Sequence, residues 1–505
     1  MVLSEKRARP LPWFAIAVLL IWLLSLSLRF WGLGRFNTLV FDEVYYVKFA
    51  HQYLTGTPFF DGHPPLSKYL IALGMWLGNQ WPIGQDAVNV MAGAPYSSWS
   101  YRWLNALTGS FIPLVVMGLA YQLTRRPPFS LLAGGFVALD GLFLVESRYA
   151  LNNIYLVLLG VSGLWFLLLA LNSSRALGRS GWLLASGLAF GASAAIKWNG
   201  LWFLLGAYGL WIGAWVIHWV SKLPPRTGLD EGSTATDRVD CSPLQRLTRL
   251  RVWQMGVYLG AVPALFYTLL WIPHLQINAK TGFWSDFWDL QRQILSYHER
   301  VGSGPQVHPY CSSWYSWLLM IRPVAYFYQV TKPGDPLPTG GSIAPEGSAQ
   351  VIYDVHAIGN PILWWLSAIA LLMVILGFAA SLLHLWRTGQ PVDPLDKTGY
   401  LPRNWMEFWL YFFLVINYLA NLLPWIRVNR CLFLYHYMGA SVFATMALAW
   451  LVDRSLTSAQ PRFRIAGVVA IVSIILAFIF WLPLYLGLPL SPTEFRLRIW
   501  LPSWI

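Results

Sequence analysis

Charge is scarce in this 505-residue chain: only 11% of its residues are Asp, Glu, Lys or Arg, against about 25% in soluble domains. A chain so poor in charge cannot cover itself with a solvated surface, which excludes an ordinary soluble globular protein. Cysteine is scarcer still. Cys241, Cys311 and Cys431 lie far apart and match no metal or redox spacing, so no disulfide framework is expected. No P-loop or other ATPase motif occurs, which argues against an energised pump. No internal repeat or inverted duplication of broken helices supports a transporter. Acids number 22 against 35 Lys and Arg, for a formal charge of +13, yet no basic cluster carries the aromatic interleaving of a nucleic-acid groove. No nucleic acid is expected as a partner.

Apolar residues, by contrast, make up 56% of the chain, with 30 tryptophans among them. Crossing a hydrocarbon layer roughly 30 Å thick takes about 20 apolar residues per helix, and helices must do it because the backbone finds no water there. Suitable runs lie near 11–29, 102–122, 129–146, 152–171, 181–197, 200–220, 252–273, 360–386, 405–424, 432–452 and 465–487. They predict an all-α polytopic protein of about eleven transmembrane helices embedded in a lipid bilayer. The first run is longer than a signal-peptide core and no small-x-small cleavage site follows it, so it reads as a span.

Lys and Arg set the orientation. With the N-terminus cytoplasmic, that side receives Lys6, Arg7, Arg9, Arg125, Arg126, Arg175, Arg179, Arg387, Lys397, Arg403, Arg454, Arg462 and Arg464. It also receives the loop 221–251, rich in Pro, Gly, Ser, Thr and charge, which reads as a solvated connector. Two long segments then face outward, 30–100 and 274–358. Both are dense in Trp, Tyr, His and Pro, unlike flexible linkers. The first should carry short interfacial helices over 43–54 and after Pro64-Pro65, where proline suits a helix N-terminus. The chain thus divides into an N-terminal membrane half, 1–273, the second outward loop, 274–358, and a C-terminal membrane region of four-helix type, 359–505.

The stretch FDEVYYVKFAHQYLTGTPFFDGHPPLSK sets Asp42 and Glu43 just after the first span, then Asp61, His63 and Lys68 in the same outward loop. The acids could simply occupy the first turn of a helix, where its dipole favours them. Their company points further. Arg29, Arg102, Arg148 and Lys197 stand at the outward ends of predicted spans, where the positive-inside rule disfavours them. Each alone could snorkel to the interface; together they mark a site, because ionisable groups at membrane depth are costly. A carboxylate beside several cations suits sugar transfer from a phosphate leaving group to a hydroxyl. One carboxylate takes the acceptor's proton and the cations stabilise the departing phosphate. A hydrolase would pair two carboxylates about 5–9.5 Å apart, and Asp61 leaves that arrangement open. In the second loop, His298 and His308 match no zinc spacing and no Cys or carboxylate set completes them. Trp314 and Trp317 suit an interfacial belt or a stacking surface for sugar or lipid.

These residues resemble a family. LRFWGL, FDEVYYVKFAHQY, FFDGHPPLSK, SYRWLNALTGSFIPL, ESRYALNN, AIKWNGL, HPYCSSWYSWLLMIRPV, IGNPILWW and RCLFLYHYMGA are similar, in that order, to the protein O-mannosyltransferases. These are dolichyl-phosphate-mannose-dependent enzymes of the GT-C membrane class. The resemblance implies a GT-C-type fold and an inverting, single-displacement transfer of mannose to Ser or Thr of exported proteins. Asp42 would be the base, Glu43 would help hold the acceptor hydroxyl, and Arg102 and Arg29 would support the site. Lys197 would meet the donor phosphate, with His63 and Lys68 near the carrier headgroup. Arg148, His308, Trp314 and Arg322 complete the substrate-binding candidates.

The resemblance requires no cofactor; a divalent cation could accompany the phosphate but is not essential. Eukaryotic members insert a soluble MIR module before the eighth span, for which 274–358 is too short, as in the bacterial branch. A bacterial source makes the carrier a polyprenyl phosphate, the site periplasmic or exterior, and the location the plasma membrane. Asn152 and Asn153 stand where members often carry an acid, so no catalytic role is assigned there. Eukaryotic members pair, which leaves a dimer open. A lipid or cell-wall glycan remains the alternative acceptor, and a lipid transporter the non-enzymatic one.

Overall fold

The computed structural model describes residues 12–84, 88–222, 243–302, 304, 306–340, 343–392 and 402–505. Most of the connector 221–251 lies outside them, as do Lys6, Arg7, Arg9, Lys397 and Cys241. Each apolar run named above forms helix over most of its described residues. In chain order the first elements are α1 (Pro12–Phe30), α2 (Glu43–Thr55), α3 (Leu66–Gly78), α4 (Ser98–Thr124), α5 (Pro127–Ala138) and α6 (Gly141–Arg148). Then come α7 (Asn153–Leu171), α8 (Ala176–Ala194) and α9 (Leu201–Val220). The interfacial helices α2 and α3 begin where Glu43 and the Pro64-Pro65 pair place them, with Pro65 at the α3 cap position.

The eleven runs differ in how apolar their helices are. Among the described residues, eight helices are long and apolar enough to span a membrane. The run 129–146 breaks at Asp140, whose carboxylate accepts from the Phe143 amide, and the resulting pair α5–α6 bends by 57° and gives a ninth if taken as one span. Two runs fall short for one physical reason: α8 is diluted by Gly, Ser and Arg179, and Met438–Leu456 by Ser, Thr, Asp453 and Arg454. Their small residues serve packing instead. A Cβ at Gly187 or Gly191 would come within 2.0 Å and 2.7 Å of the carbonyl oxygens of Tyr258 and Pro263, so only glycine lets α8 approach the helix Val252–Asn278 this closely.

The second outward loop is not purely helical. It opens with the helix Phe283–Arg300 and continues into two antiparallel strands, Val324–Thr331 and Val351–Ala357. Their sequences, VAYFYQVT and VIYDVHA, are β-branched and aromatic runs around a Pro- and Gly-rich turn, which is a hairpin signal. A register irregularity between Ala325 and Phe327 accompanies Tyr326, which stacks on Phe41 at a ring separation of 4.1 Å. The expectation of no disulfide is also corrected: Cys311 and Cys431 are bonded across 120 residues of sequence, with Cα atoms 5.1 Å apart. Spacing could not reveal this, because the fold rather than the chain brings the two together.

Candidate active site

The loop leaving α1 is held by two arginines. At the end of α6, Arg148 donates to the carbonyls of Leu28, Arg29, Trp31 and Gly32, satisfying groups that the helix terminus leaves without partners. Near the start of α4, Arg102 donates to the carbonyls of Leu33, Phe36 and Thr38 at 3.2, 2.9 and 2.7 Å. Its remaining donors form a fork on Glu43, Nε to Oε1 at 2.9 Å and Nη2 to Oε2 at 2.8 Å. Glu43 also accepts from the amides of Val40 and Ala150, both at 2.8 Å. All of the roughly four acceptor positions of its carboxylate are therefore filled, and neither Glu43 nor Arg102 is exposed.

This frame aims Asp42. Phe41 before it adopts a left-handed backbone with φ of +52°, a conformation that costs about 1–3 kcal/mol in a residue other than glycine and persists only where surroundings enforce it. The Tyr326 ring stacked on Phe41 is part of that enforcement. Asp42 occupies the N-cap position of α2, yet its side chain makes no capping bond. Helix capping therefore does not explain it. Its half-buried carboxyl lies in the electrostatic reach of Lys197 and Asp61. Burial pushes the carboxyl up to about 6, with Lys197 opposing the rise and Asp61 adding to it.

A polar chain surrounds this group. Lys197 Nζ donates to Asn153 Oδ1 at 2.9 Å and lies 5.3 Å from the centre of the Tyr435 ring. Asn153 Nδ2 donates to Glu146 Oε2 at 3.1 Å, and the Tyr326 hydroxyl donates to Glu146 Oε1. Arg430 approaches from the C-terminal part of the chain: its half-buried guanidinium feels Tyr435, Tyr297 and Tyr46, and its charge reaches Lys197. Glu146, Tyr326 and Arg430 were absent from the sequence-based set. The acid at apolar depth in ESRYALNN was a signal for Glu146, and Arg430 opens the quoted RCLFLYHYMGA.

The other expected residues sit as follows. Lys68 is fully buried and bound to Asp61 at 2.6 Å and to the carbonyls of His63 and Pro64, where it braces the FFDGHPP loop. The His63 ring lies 5.2 Å from His298. Burial holds both imidazoles below their ordinary range, His298 at about 4, with Lys197 the next cause at His63 and Arg430 at His298. Both are neutral at pH 7. Arg29 donates to Ser147 Oγ at 3.1 Å and to Ser25 Oγ at 2.8 Å, beneath the α1–α6 contact. His308 packs on Phe433 at 5.0 Å, at the edge of the aromatic group that includes Phe41 and Tyr435. Arg322 binds the carbonyls of Pro309, Ser503 and Ile505, tying the chain's last residues to the second loop. Trp314 is half-buried beside Tyr315. Trp317 belongs to no belt: it is fully buried and donates to Ser312 Oγ at 2.8 Å. Among the described residues, no three His, Cys, Asp or Glu side chains converge as a metal site.

A half-buried carboxyl without a capping bond, within electrostatic reach of Lys197, thus stands at one end of the helical bundle. The S. cerevisiae protein O-mannosyltransferase Pmt1–Pmt2 complex, solved with its sugar donor, shares this fold. It aligns over 99% of this chain and 93% of its own, with a TM-score of 0.74 at 14% identity. Two family models cover the sequence: dolichyl-phosphate-mannose-protein mannosyltransferase over residues 19–277, and the C-terminal four-transmembrane region of protein O-mannosyltransferase over 283–504. The chain belongs to the dolichyl-phosphate-mannose-protein mannosyltransferase family. Among its relatives is the polyprenol-phosphate-mannose–protein mannosyltransferase of Mycolicibacterium smegmatis, 23% identical over 94% of this chain and 90% of that protein. Its counterpart in Corynebacterium glutamicum is 24% identical over 97% and 93%. The protein O-mannosyltransferase 1 of Drosophila melanogaster reaches 32% identity, over 40% of this chain and 25% of its own.

Proposed function

We propose that this enzyme transfers mannose from a polyprenyl-phosphate-mannose donor to Ser or Thr hydroxyls of exported proteins, with Asp42 as the single base. The observation that carries the reading is Asp42 itself, free of capping bonds beside Lys197 while neighbouring Glu43 is wholly engaged. The acceptor oxygen attacks the sugar's anomeric carbon as Asp42 takes its proton. The bond from that carbon to the phosphate oxygen breaks, and its electron pair leaves with the phosphate between Lys197 and Arg430. Backside attack inverts the linkage. No general acid is needed, because a phosphate whose charge is met departs readily. Two cations meet that charge from the chain's own residues, so a metal is not required. Glu43, Arg102, Arg148 and Lys68 act by holding the loops that aim Asp42 and bound the carrier's path.

The orientation, with the N-terminus cytoplasmic and the site on the outer face of the plasma membrane, is supported by the charge bias of the loops. It is also supported by the Cys311–Cys431 bond, since disulfides persist in oxidising compartments. Purified enzyme given labelled donor should label a Ser- or Thr-containing peptide. Label appearing only in lipid or glycan would overturn the protein acceptor.

The raised value of Asp42 sets the pH response. A base must be ionised, so transfer should fall as pH drops through about 6, and a kcat/KM profile would show that limb. A profile flat from pH 7 down to 5 would mean that Asp42 is not the base. Substituting Lys197→Met removes one charge-assisted contact to the phosphate, worth about 1.5–3 kcal/mol. It should lower kcat/KM roughly ten- to hundredfold, while the KM for peptide is unchanged.

A further inference from the structure

Arg430 reaches the site from a strap, 428–433, between two short 3-10 turns, Leu423–Arg427 and Leu434–Tyr437. Two polar attachments fix its backbone. The Cys431 amide donates to the Gly302 carbonyl at 2.8 Å, and the Leu432 carbonyl accepts from Ser312, amide at 2.8 Å and hydroxyl at 3.3 Å. Among the described residues the guanidinium has one hydrogen bond, to the carbonyl of Cys431 at a long 3.3 Å. Its electrostatic neighbours include Tyr435, Tyr297 and Lys197, none of which brings a negative charge at neutral pH. Gly302, whose carbonyl supports the strap, is itself exposed, so water competes for that hydrogen bond. Beyond Arg430, Leu432 is buried and Phe433 packs on His308 and Tyr435, but the one covalent tie among the described residues is the Cys311–Cys431 disulfide, immediately next to Arg430 in sequence.

We propose that the Cys311–Cys431 bond is a positioning bond for the known reaction, holding Arg430 over the donor phosphate and making donor affinity depend on its being oxidised. Neither sulfur takes part in sugar transfer. The bond acts through Arg430, and the inference rests on the reading that the phosphate departs between Lys197 and Arg430. Reduction by a phosphine consumes one water: the S–S bond gains two electrons and two protons to give two thiols, and the phosphine becomes its oxide. The freed strap then samples positions in which the guanidinium is withdrawn. If it is correctly placed about a tenth of the time, the apparent donor affinity falls about tenfold, since affinity scales with the competent fraction.

The full-length enzyme, purified in detergent, is assayed with labelled polyprenyl-phosphate-mannose and a Ser-containing peptide, as isolated, after phosphine treatment and after reoxidation. Reduction should raise the KM for donor about tenfold, with kcat and the KM for peptide held within about twofold, and reoxidation should reverse it. The double variant Cys311→Ser, Cys431→Ser should match the reduced enzyme and ignore the phosphine. Arg430→Ala should raise donor KM at least as far and make reduction silent. An unchanged donor KM in enzyme whose thiols are shown by mass to be free overturns the proposal. So does a loss spread equally over kcat and both KM values with a lowered melting temperature, which marks a purely structural bond. Should the double variant not fold, in-place reduction of the wild type decides alone. Absence of any peptide labelling by the oxidised wild type sinks the mannosyl-transfer reading instead, and is distinguished by that control.

Discussion

Asp42→Asn should abolish nearly all transfer while leaving the fold at least as stable as before. Removing a positioned general base typically costs about 10²–10⁴ in rate, and here no second carboxylate can replace it. Glu43 has its oxygens filled by Arg102 and two amides, Asp61 is bound to Lys68, and Glu146 is fully buried and accepts from Asn153 and Tyr326. The stability half follows from the sign of the shift. Burial raises the folded-state value to about 6, above the roughly 3.9 of a free Asp. Folding therefore favours the protonated form: the stabilisation this gives is complete at low pH and lost as pH rises towards about 6. Above that the ionised group burdens the fold, and asparagine removes the burden at nearly constant size. The variant should melt higher than wild type at pH 8, and the two should converge below about pH 4. Activity is read as label moved to peptide. A variant that is inactive because it melts well below wild type at pH 8 would show Asp42 to be a structural residue, and one that keeps substantial activity would remove it from the chemistry.

Much of this site could be read from where charges stand along the chain, and much could not. Arg29, Arg102, Arg148 and Lys197 drew notice because each interrupts an apolar run at its outward end, and that cost is local and visible. What each one does with its charge is not local. Arg148 and Arg102 spend their donors on carbonyls of the loop after α1, partners set by how α4 and α6 pack rather than by any spacing. Lys197 reaches Asn153, an uncharged residue set aside for lacking an acid, and through it Glu146. The amide thus links a cation to a carboxylate where a direct acid had been looked for. Arg430 is invisible for a different reason. It stands in an irregular strap, and that strap's place is set by partners distant in sequence, Gly302, Ser312 and Cys311. The helices were legible from apolar length. The place of α8 was less legible, because it owes its close packing to glycines that let backbones touch, a signal that hydropathy does not register.

The second large effect is expected at Arg102. Removing one partner of a buried ion pair leaves the other charge stranded at a cost of about 3–5 kcal/mol. Arg102→Ala strands Glu43, which is fully buried, and also leaves the carbonyls of Leu33, Phe36 and Thr38 without this donor, at about 1–3 kcal/mol for each that stays dry. The sum is comparable to the 5–15 kcal/mol that holds a typical domain together, so the variant should express poorly or lose its loop structure. Arg102→Lys keeps the charge but not the planar fork that serves five acceptors at once, and should be intermediate. Glu43→Gln leaves the guanidinium its three carbonyls but strands its charge and turns an amide N–H toward donors that Glu43 accepts from, so it too should destabilise. Melting temperatures in detergent should therefore place Arg102→Lys above Arg102→Ala and Glu43→Gln below wild type, with transfer activity falling in step. An Arg102→Ala enzyme that melts like wild type yet transfers no mannose would contradict this, and would place the guanidinium against the substrate rather than behind the loop that aims Asp42.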